Sequence, residues 1–315
     1  MKYKHIFGPV TSRRLGMSLG IDVVPYKYCP LNCVYCEVQH TTHLITERQE
    51  FFPPDEIIAE IREVLDQKPV LDHVSFSGAG EPTLYQGLGE IIRFLKQHYP
   101  QFKLAMLTNG VLLGDPQVAE VVRLCDVVLP SLDAATQEVY LKIDRPMVGL
   151  QVNDLIEGLI SFRKIYSGII WLEVFIIPGV NDNESELLAI ANAIDRIKPD
   201  QVQVNSLDRP GTETWVKAPS RTALLKVQSF LSAHCSYPVE IISKSAEHGL
   251  CEDVDRSIAM KVRDHLLAKQ DTAEGISLAL GVHINEISKT LRCLNAHEKL
   301  TIQRKTGDVF YRWKD

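Results

Sequence analysis

From about residue 18 to about residue 243, short β-branched segments alternate with amphipathic helical patterns, and this alternation restricts the chain to very few architectures. The strand candidates are Leu19–Val24, His73–Phe76, Lys103–Leu107, Asp126–Leu129, Ile170–Ile177 and Gln201–Asn205. Between them, apolar residues recur at helical spacing: Ile57, Ile58, Ile61, Val64 and Leu65; Leu88, Ile91, Ile92 and Leu95; and Val152, Leu155, Ile156, Leu159 and Ile160. Six strands joined by helices imply right-handed βα units and a parallel sheet. The expected fold class is α/β, a partial (β/α)6 TIM-like barrel. With 315 residues the chain has room for such a barrel plus a short module, and 45% hydrophobic residues supply an ordinary core.

The pattern changes near residue 250. Val254–Gln270, Ala273–Leu280 and about Asn285–Lys299 read as three helices, with Gly281 as a C-cap. Thr301–Lys305 and Val309–Trp313 flank a turn at Thr306-Gly307-Asp308. Three helices and a hairpin follow the order of a winged helix-turn-helix, so the expected domains are 1–250 and 251–315. Net charge is −6, yet from Asp255 onward Lys and Arg outnumber Asp and Glu by 11 to 8. No stretch approaches the ~18 apolar residues of a membrane span, and Met1–Val10 lacks the apolar core of a signal peptide. The expected location is therefore cytoplasmic, with no membrane partner.

Each strand candidate ends in a polar or Gly/Pro-containing segment. These are Gly78-Ala79-Gly80-Glu81-Pro82, Thr108-Asn109-Gly110, Ser131-Leu132-Asp133, Pro178-Gly179-Val180 and Ser206-Leu207-Asp208. Ligands of parallel α/β folds bind at the carboxyl ends of strands, so this series marks one rim of one site. The segment after the first strand candidate carries Cys29-Pro-Leu-Asn-Cys33-Val-Tyr-Cys36, three of the seven cysteines, while Cys125, Cys235, Cys251 and Cys293 are scattered. Three thiolates on a cubane [4Fe–4S] cluster leave one iron open for another ligand. The competing reading is a Cys3His zinc site that adds His40. Structural zinc sites usually draw on two separated pairs of ligands, whereas these four fall within one short segment.

The Cys-x3-Cys-x-aromatic-Cys pattern, with Tyr35 as the aromatic residue, resembles the signature of the radical S-adenosylmethionine (SAM) superfamily over roughly residues 8–243. Ser12-Arg13-Arg14-Leu15-Gly16 resembles a subgroup of iron–sulfur oxidoreductases related to the tRNA wyosine-base synthases. The resemblance implies Cys29, Cys33 and Cys36 as metal ligands, a [4Fe–4S] cluster and SAM as cofactors, and reductive cleavage of SAM to a 5′-deoxyadenosyl radical that abstracts hydrogen from a substrate. It implies that the turn Gly78, Ala79, Gly80 and Glu81 meets the SAM ammonium, with Ala79 standing where the family has glycine.

By the same resemblance, Ser131 and Asp133 meet the SAM ribose or carboxylate, Asn109 borders the methionyl end, and Val180, Asn205 and Leu207 lie against adenine. Alternatives stand beside several of these: Asp133 as the cap of a helix starting near Ala134, Asn109 as a turn residue, and Val180 and Leu207 as core. Arg13, Arg14 and Lys27 would add positive charge near an anionic cluster or bind an anionic substrate, and Lys142, Asp144 and Arg145 are further substrate candidates. The expected partners are a reductant such as flavodoxin or ferredoxin and a substrate: tRNA, a peptide or protein, or a small metabolite. Docking of protein or nucleic acid to the C-terminal module rests on Lys289 and Arg292 of the third helix and on Arg304, Lys305 and Arg312 of the hairpin. The alternative function is an iron–sulfur or zinc sensor whose winged helix reads DNA.

Overall fold

In the computed structural model the described residues are 3–207, 211–242, 254–305 and 308–314. The domain boundary at 250, Asp208, Cys251 and the Thr306-Gly307 turn lie outside them, as do the side chains of Arg304 and Lys305.

The chain opens with β1 (Ile6–Ser12), β2 (Gly16–Ile21), the two-residue strands β3 (Tyr28–Cys29) and β4 (His43–Leu44), and helix α1 (Pro54–Leu65). There follow β5 (His73–Phe76), α2 (Leu88–His98), β6 (Lys103–Thr108), α3 (Pro116–Val122), β7 (Val127–Pro130), α4 (Gln137–Ile143) and α5 (Val152–Ile165). Then come β8 (Ile169–Phe175), α6 (Glu184–Ile197), β9 (Gln201–Asn205), α7 (Arg221–His234) and β10 (Val239–Ile241). The C-terminal part consists of α8 (Arg256–Ala268), β11 (Asp271–Thr272), α9 (Ala273–Leu280), α10 (Ile284–Ala296), β12 (Leu300–Lys305) and β13 (Asp308–Trp313).

The main sheet has the order β1-β2-β5-β6-β7-β8-β9-β10. β2 and β5 to β10 run parallel, while β1 runs antiparallel to β2 at the edge. The mostly parallel α/β sheet expected of a partial barrel is present, but with seven parallel strands among the described residues rather than six. The two strands beyond the expected six, parallel β10 and antiparallel β1, carry weak signals. β10 has only three residues, and β1 has four consecutive exposed residues and so lacks alternation. β8 ends at Phe175, two residues before the expected Ile177.

Alternation across the strands explains what the two faces of the sheet do. Val74, Phe76, Leu104, Met106, Leu172, Val174, Val202 and Val204 share one core cluster with Ile57, Ile61 and Leu65 of α1 and with the apolar faces of α2, α5 and α6. Each such fully buried aliphatic side chain contributes roughly 1.5–3 kcal/mol. The intervening positions are polar in part. Ser18 donates to Ser75 (3.0 Å), and Gln203 and Asn205 alternate with the valines of β9. This second face is where a barrel keeps its interior.

The C-terminal part has its own apolar cluster, formed by Val262, Leu266, Ile276, Ile287, Leu291, Leu300 and Tyr311. Its three strands pair antiparallel in the order β11-β13-β12. Asp255 accepts hydrogen bonds at the start of α8, and Gly281 closes α9 at φ 61°.

Candidate active site at the strand ends

The cysteine loop follows β2 and is fixed largely through backbone. Tyr28 and Cys29 pair with His43 and Leu44, and the Tyr28 ring stacks on His43 at 4.0 Å. Asn32 N donates to Asp144 O and Val34 N to Ile143 O, both at 2.9 Å, and Cys36 N turns back to Cys33 O at 3.1 Å. Thr212 Oγ1 donates to the Cys36 carbonyl (2.9 Å). Val34 is fully buried between Ile143, Phe175 and Ile177, in a cluster that also holds Val180 and Leu207. The structure thus places Val180 and Leu207 under the cysteine loop as packing.

Cys29, Cys33 and Cys36 are free and half-buried. Burial pushes the Cys29 thiol up to about 12, and burial beside the Asp144 carboxyl raises Cys33 well above its ordinary value. Cys36 goes the other way: burial opposes ionisation, but the Lys27 ammonium, 3.2 Å from its sulfur, outweighs burial and lowers it. Lys27 is only 2% exposed, and burial is outweighed there above all by the negative charge of Cys36, which holds it charged. Cys33 Sγ lies 3.3 Å from Asp144 Oδ1. Soft sulfur donors whose burial resists ionisation suit a bound cationic metal centre, which reverses that resistance.

Among the described residues no three His, Cys, Asp or Glu side chains converge on a point that one ion would occupy. Four-coordinate zinc needs its sulfurs within about 4 Å of one another. A cubane takes each sulfur on a different iron, and so needs them farther apart. His40 faces Glu213 at 3.9 Å. Three soft thiols on one loop, with the Lys27 ammonium beside Cys36 to balance thiolate charge, suit the irons of a cluster.

Glu81 ties the Gly-Ala-Gly-Glu turn to the next strand. It is 3% exposed, and its carboxylate accepts from Thr83 N (3.1 Å), Thr83 Oγ1 (2.6 Å), Thr108 Oγ1 (2.7 Å) and Asn109 N (2.8 Å). Asn109 is a turn residue whose side chain also reaches the cysteine loop. Its Oδ1 closes the turn on Val111 N (3.0 Å), and its Nδ2 reaches Cys29 Sγ (3.5 Å). Asp22, which sequence reasoning absorbed into a strand, lies beneath the turn. β2 stops at Ile21, Asp22 N donates to His5 O (2.8 Å), and its Oδ2 accepts from Ala79 N (2.8 Å). Burial pushes the Asp22 carboxyl up to about 7, and its Oδ1 has no hydrogen-bond partner.

The two glycines of the turn are sterically required. A Cβ on Gly78 would fall 2.2 Å from the Asp22 carboxyl carbon, and one on Gly80 would fall 2.2 Å from Tyr28 O. Ala79 is not among the positive-φ residues, which explains why a side chain is tolerated there. Gly80→Ala is expected to lower stability by about 2 kcal/mol, because the atom in its way is backbone. Urea unfolding checks this, and wild-type stability would show that the loop yields.

On the opposite side of the rim, the structure engages Asp133 within the protein. The carboxyl is 3% exposed, accepts from Phe175 N (2.7 Å) and from the Tyr35 hydroxyl, and is raised by burial and by the Asp144 and Glu173 charges. It does not cap a helix: α4 starts at Gln137 after Thr136. The Tyr35 ring stacks on Phe175 at 3.9 Å, and Asn181, fully buried, donates to Asp133 O and Phe175 O.

Ser131 forms a bridge with Glu173 on β8. Glu173 was not singled out from sequence, yet it gathers Arg14 as an ion pair and Asn205 Nδ2 (3.0 Å) on the polar face of the sheet. The only available cue was a charged residue inside an apolar strand. Arg145 pairs with Glu213, Arg13 donates to Ile242 O (2.5 Å), and Lys142 is exposed.

The C-terminal part sits over this rim. His283 packs on Phe7 of β1 at 5.1 Å, and Arg292 pairs with Glu37 of the cysteine loop at 3.7 Å. From Ile284 to Asn295 no residue of α10 is exposed. Lys289 and Arg292, on which docking of protein or nucleic acid was expected to rest, are not exposed and line a cavity with Ser77 and Gly78 at the strand ends.

A family model described as the Radical SAM superfamily matches residues 23–191, more than half of the chain. The chain belongs to the radical SAM superfamily. It is an enzyme of that group, whose members bind a [4Fe–4S] cluster and SAM. It is 33% identical to a UPF0026 protein of Helicobacter pylori over 97% of this chain and 96% of that one. It is 32% identical to a protein of Brachyspira hyodysenteriae named GTPase Obg, over 99% of this chain but only 45% of that longer protein. Kinship to the wyosine synthases appears in the mouse SAM-dependent tRNA 4-demethylwyosine synthase, 25% identical over 65% of this chain and 29% of that one. In fold, the chain is similar to a radical SAM methyltransferase from Sphaerobacter thermophilus, with TM-score 0.56, 17% identity, and 74% and 67% of the two chains covered. Among the described residues no helix is long and apolar enough to cross a membrane.

Proposed function

We propose that Cys29, Cys33 and Cys36 hold a [4Fe–4S] cluster with one open iron, and that the rim from Gly78 to Glu81, with Asn109, Ser131 and Asn205, receives SAM. One arrangement supports this most directly: Glu81 joins the glycine turn to Asn109, and Asn109 reaches Cys29, so thiol and turn share one rigid frame. When bound, the cluster and SAM supply reductive cleavage of the sulfonium and a 5′-deoxyadenosyl radical for hydrogen abstraction.

The chain's own residues then have distinct tasks. Lys27 balances thiolate charge from below, Asp22 and Glu81 fix the turn, and the Arg14–Glu173–Asn205 group orients polar ligand atoms on the inner face. Asp133 acts by positioning Tyr35 and the end of β8. A low-potential reductant, flavodoxin or ferredoxin, fits this chemistry, as does a cytoplasmic setting. We read α8, α9, α10 and their sheet as a winged helix used for closing the site.

The test is anaerobic reconstitution, reduction with dithionite and addition of SAM. 5′-Deoxyadenosine is the expected product, and its absence from a protein with full iron content would overturn the proposal. Cys235→Ala, whose sulfur sits 3.8 Å from Tyr237 O at the C-terminal end of α7, is expected to leave iron content unchanged.

A further inference from the structure

We propose that α10 forms one wall of the substrate chamber, and that Lys289 and Arg292 bind the anionic group, a phosphate or carboxylate, of a small-molecule substrate. The inference rests on the radical SAM reading for what the chamber serves, and on geometry of its own for what it binds.

A cavity of about 580 Å³ lies between the strand ends and α10. Its floor is Ser77 and Gly78 of the glycine turn with Leu107 of β6. One side is Glu37 of the cysteine loop, and the roof is Asn285, Glu286, Lys289 and Arg292. That volume falls within the roughly 300–1,000 Å³ of small-molecule sites. The chamber is thus bounded by the cofactor-bearing loops below and by the C-terminal module above. A folded protein or a tRNA cannot enter it while α10 stays in place.

The most deeply buried charges of the chamber are its two cations. Lys289 and Arg292, three residues apart on one helix, share a face. Their side chains are 14% and 4% exposed. Each has a carboxylate neighbour, Glu286 at 3.6 Å and Glu37 at 3.7 Å, and both carboxylates are 35% exposed. An entering anion can therefore displace the two carboxylates toward water, whereas the two cations have no such exit. Asn285 lines the same cavity, and its buried Oδ1 has no hydrogen-bond partner, leaving an acceptor for a donor on the ligand.

The experiment titrates the reconstituted protein with inorganic phosphate and, separately, with succinate, by calorimetry under anaerobic conditions. Saturable binding of at least one is expected, weakened at least tenfold in Lys289→Gln and in Arg292→Gln and unchanged in Lys217→Gln, an exposed lysine of a different cavity. Tighter phosphate binding identifies a phosphate ester as substrate, and tighter succinate binding a carboxylate. If Arg292→Gln does not fold, Lys289→Gln and the charge-retaining Arg292→Lys carry the test.

Equal affinity in wild type and variants, or no binding of either anion, overturns the proposal. So does retention of tRNA on a filter that Lys289→Gln abolishes, because α10 would then have to leave the barrel. 5′-Deoxyadenosine formation is measured in parallel on the wild-type chain. Anion binding without that product overturns the radical reading and leaves the anion site standing.

Discussion

Cys33→Ala is expected to abolish stable [4Fe–4S] incorporation and bring 5′-deoxyadenosine formation to background, with thermal unfolding close to that of the wild-type apo-protein. The asymmetry follows from where Cys33 sits. Its backbone carbonyl accepts from Cys36 N and is kept by alanine, so the turn survives. Its side chain is half-buried, and the sulfur's neighbour is Asp144, a carboxyl that burial pushes up to about 7. Removing the thiol removes one weak S–H hydrogen bond to the buried Asp144 carboxyl and leaves a small gap, together worth about 1–2 kcal/mol. Loss of one of three ligands leaves two irons open instead of one. Iron and sulfide analysis after anaerobic reconstitution, together with product assay, reads the outcome. A variant with the wild-type iron content would show that Cys33 is not a ligand.

Glu81→Ala is expected to be the most destabilising single change at the rim, by about 3–5 kcal/mol. The Glu81 carboxylate takes four hydrogen bonds from three residues on two loops, and alanine leaves the Thr83, Thr108 and Asn109 donors buried without it. Each orphaned donor costs roughly 1–3 kcal/mol, and relaxation and water recover part of that. Because Asn109 Nδ2 is also the group that reaches Cys29, the same change should loosen the cysteine loop and lower SAM affinity. Glu81→Gln keeps the volume and one acceptor oxygen but turns an amide toward donors, so an intermediate loss is expected. Chemical denaturation of the three proteins, with SAM binding measured on the reconstituted forms, decides this. Equal stability of wild type and Glu81→Ala would mean that the two loops are held by other contacts.

These two residues also show how far the sequence was legible. Cys33 and Glu81 stand in local patterns, a spacing of thiols and a turn after a strand, and local patterns survive in one dimension. Five of the six anticipated strands match within two residues at each end, because β-branched runs bounded by Gly, Pro and polar residues carry their own limits; the first, expected at Leu19–Val24, is shifted to β2 Gly16–Ile21, stopping at Ile21 because Asp22 N turns to His5 O.

What was not legible depends on contacts between distant segments. Asp22 reads as one more strand residue until the fold brings Ala79 onto its carboxylate, 57 positions away. Glu173 reads as an ordinary charge until Arg14, 159 positions away, pairs with it. The inward face of α10 is the clearest case. An amphipathic helix with two basic residues has the same pattern whether its partner is a groove of nucleic acid or the rim of a neighbouring domain, and only Phe7 and Glu37 distinguish the two. β1 escaped notice for the opposite reason: as an edge strand it exposes Gly8 to Thr11, and its sequence shows no buried face.

The central claim is that the three thiols and the glycine turn form one cofactor site, in which SAM meets the cluster. Electron paramagnetic resonance of the dithionite-reduced protein tests it most directly, with and without SAM. The account predicts a reduced [4Fe–4S] signal whose g-values and line shape change on adding SAM, and a Cys33→Ala variant with no such signal. A full cluster signal that SAM leaves unchanged would contradict it.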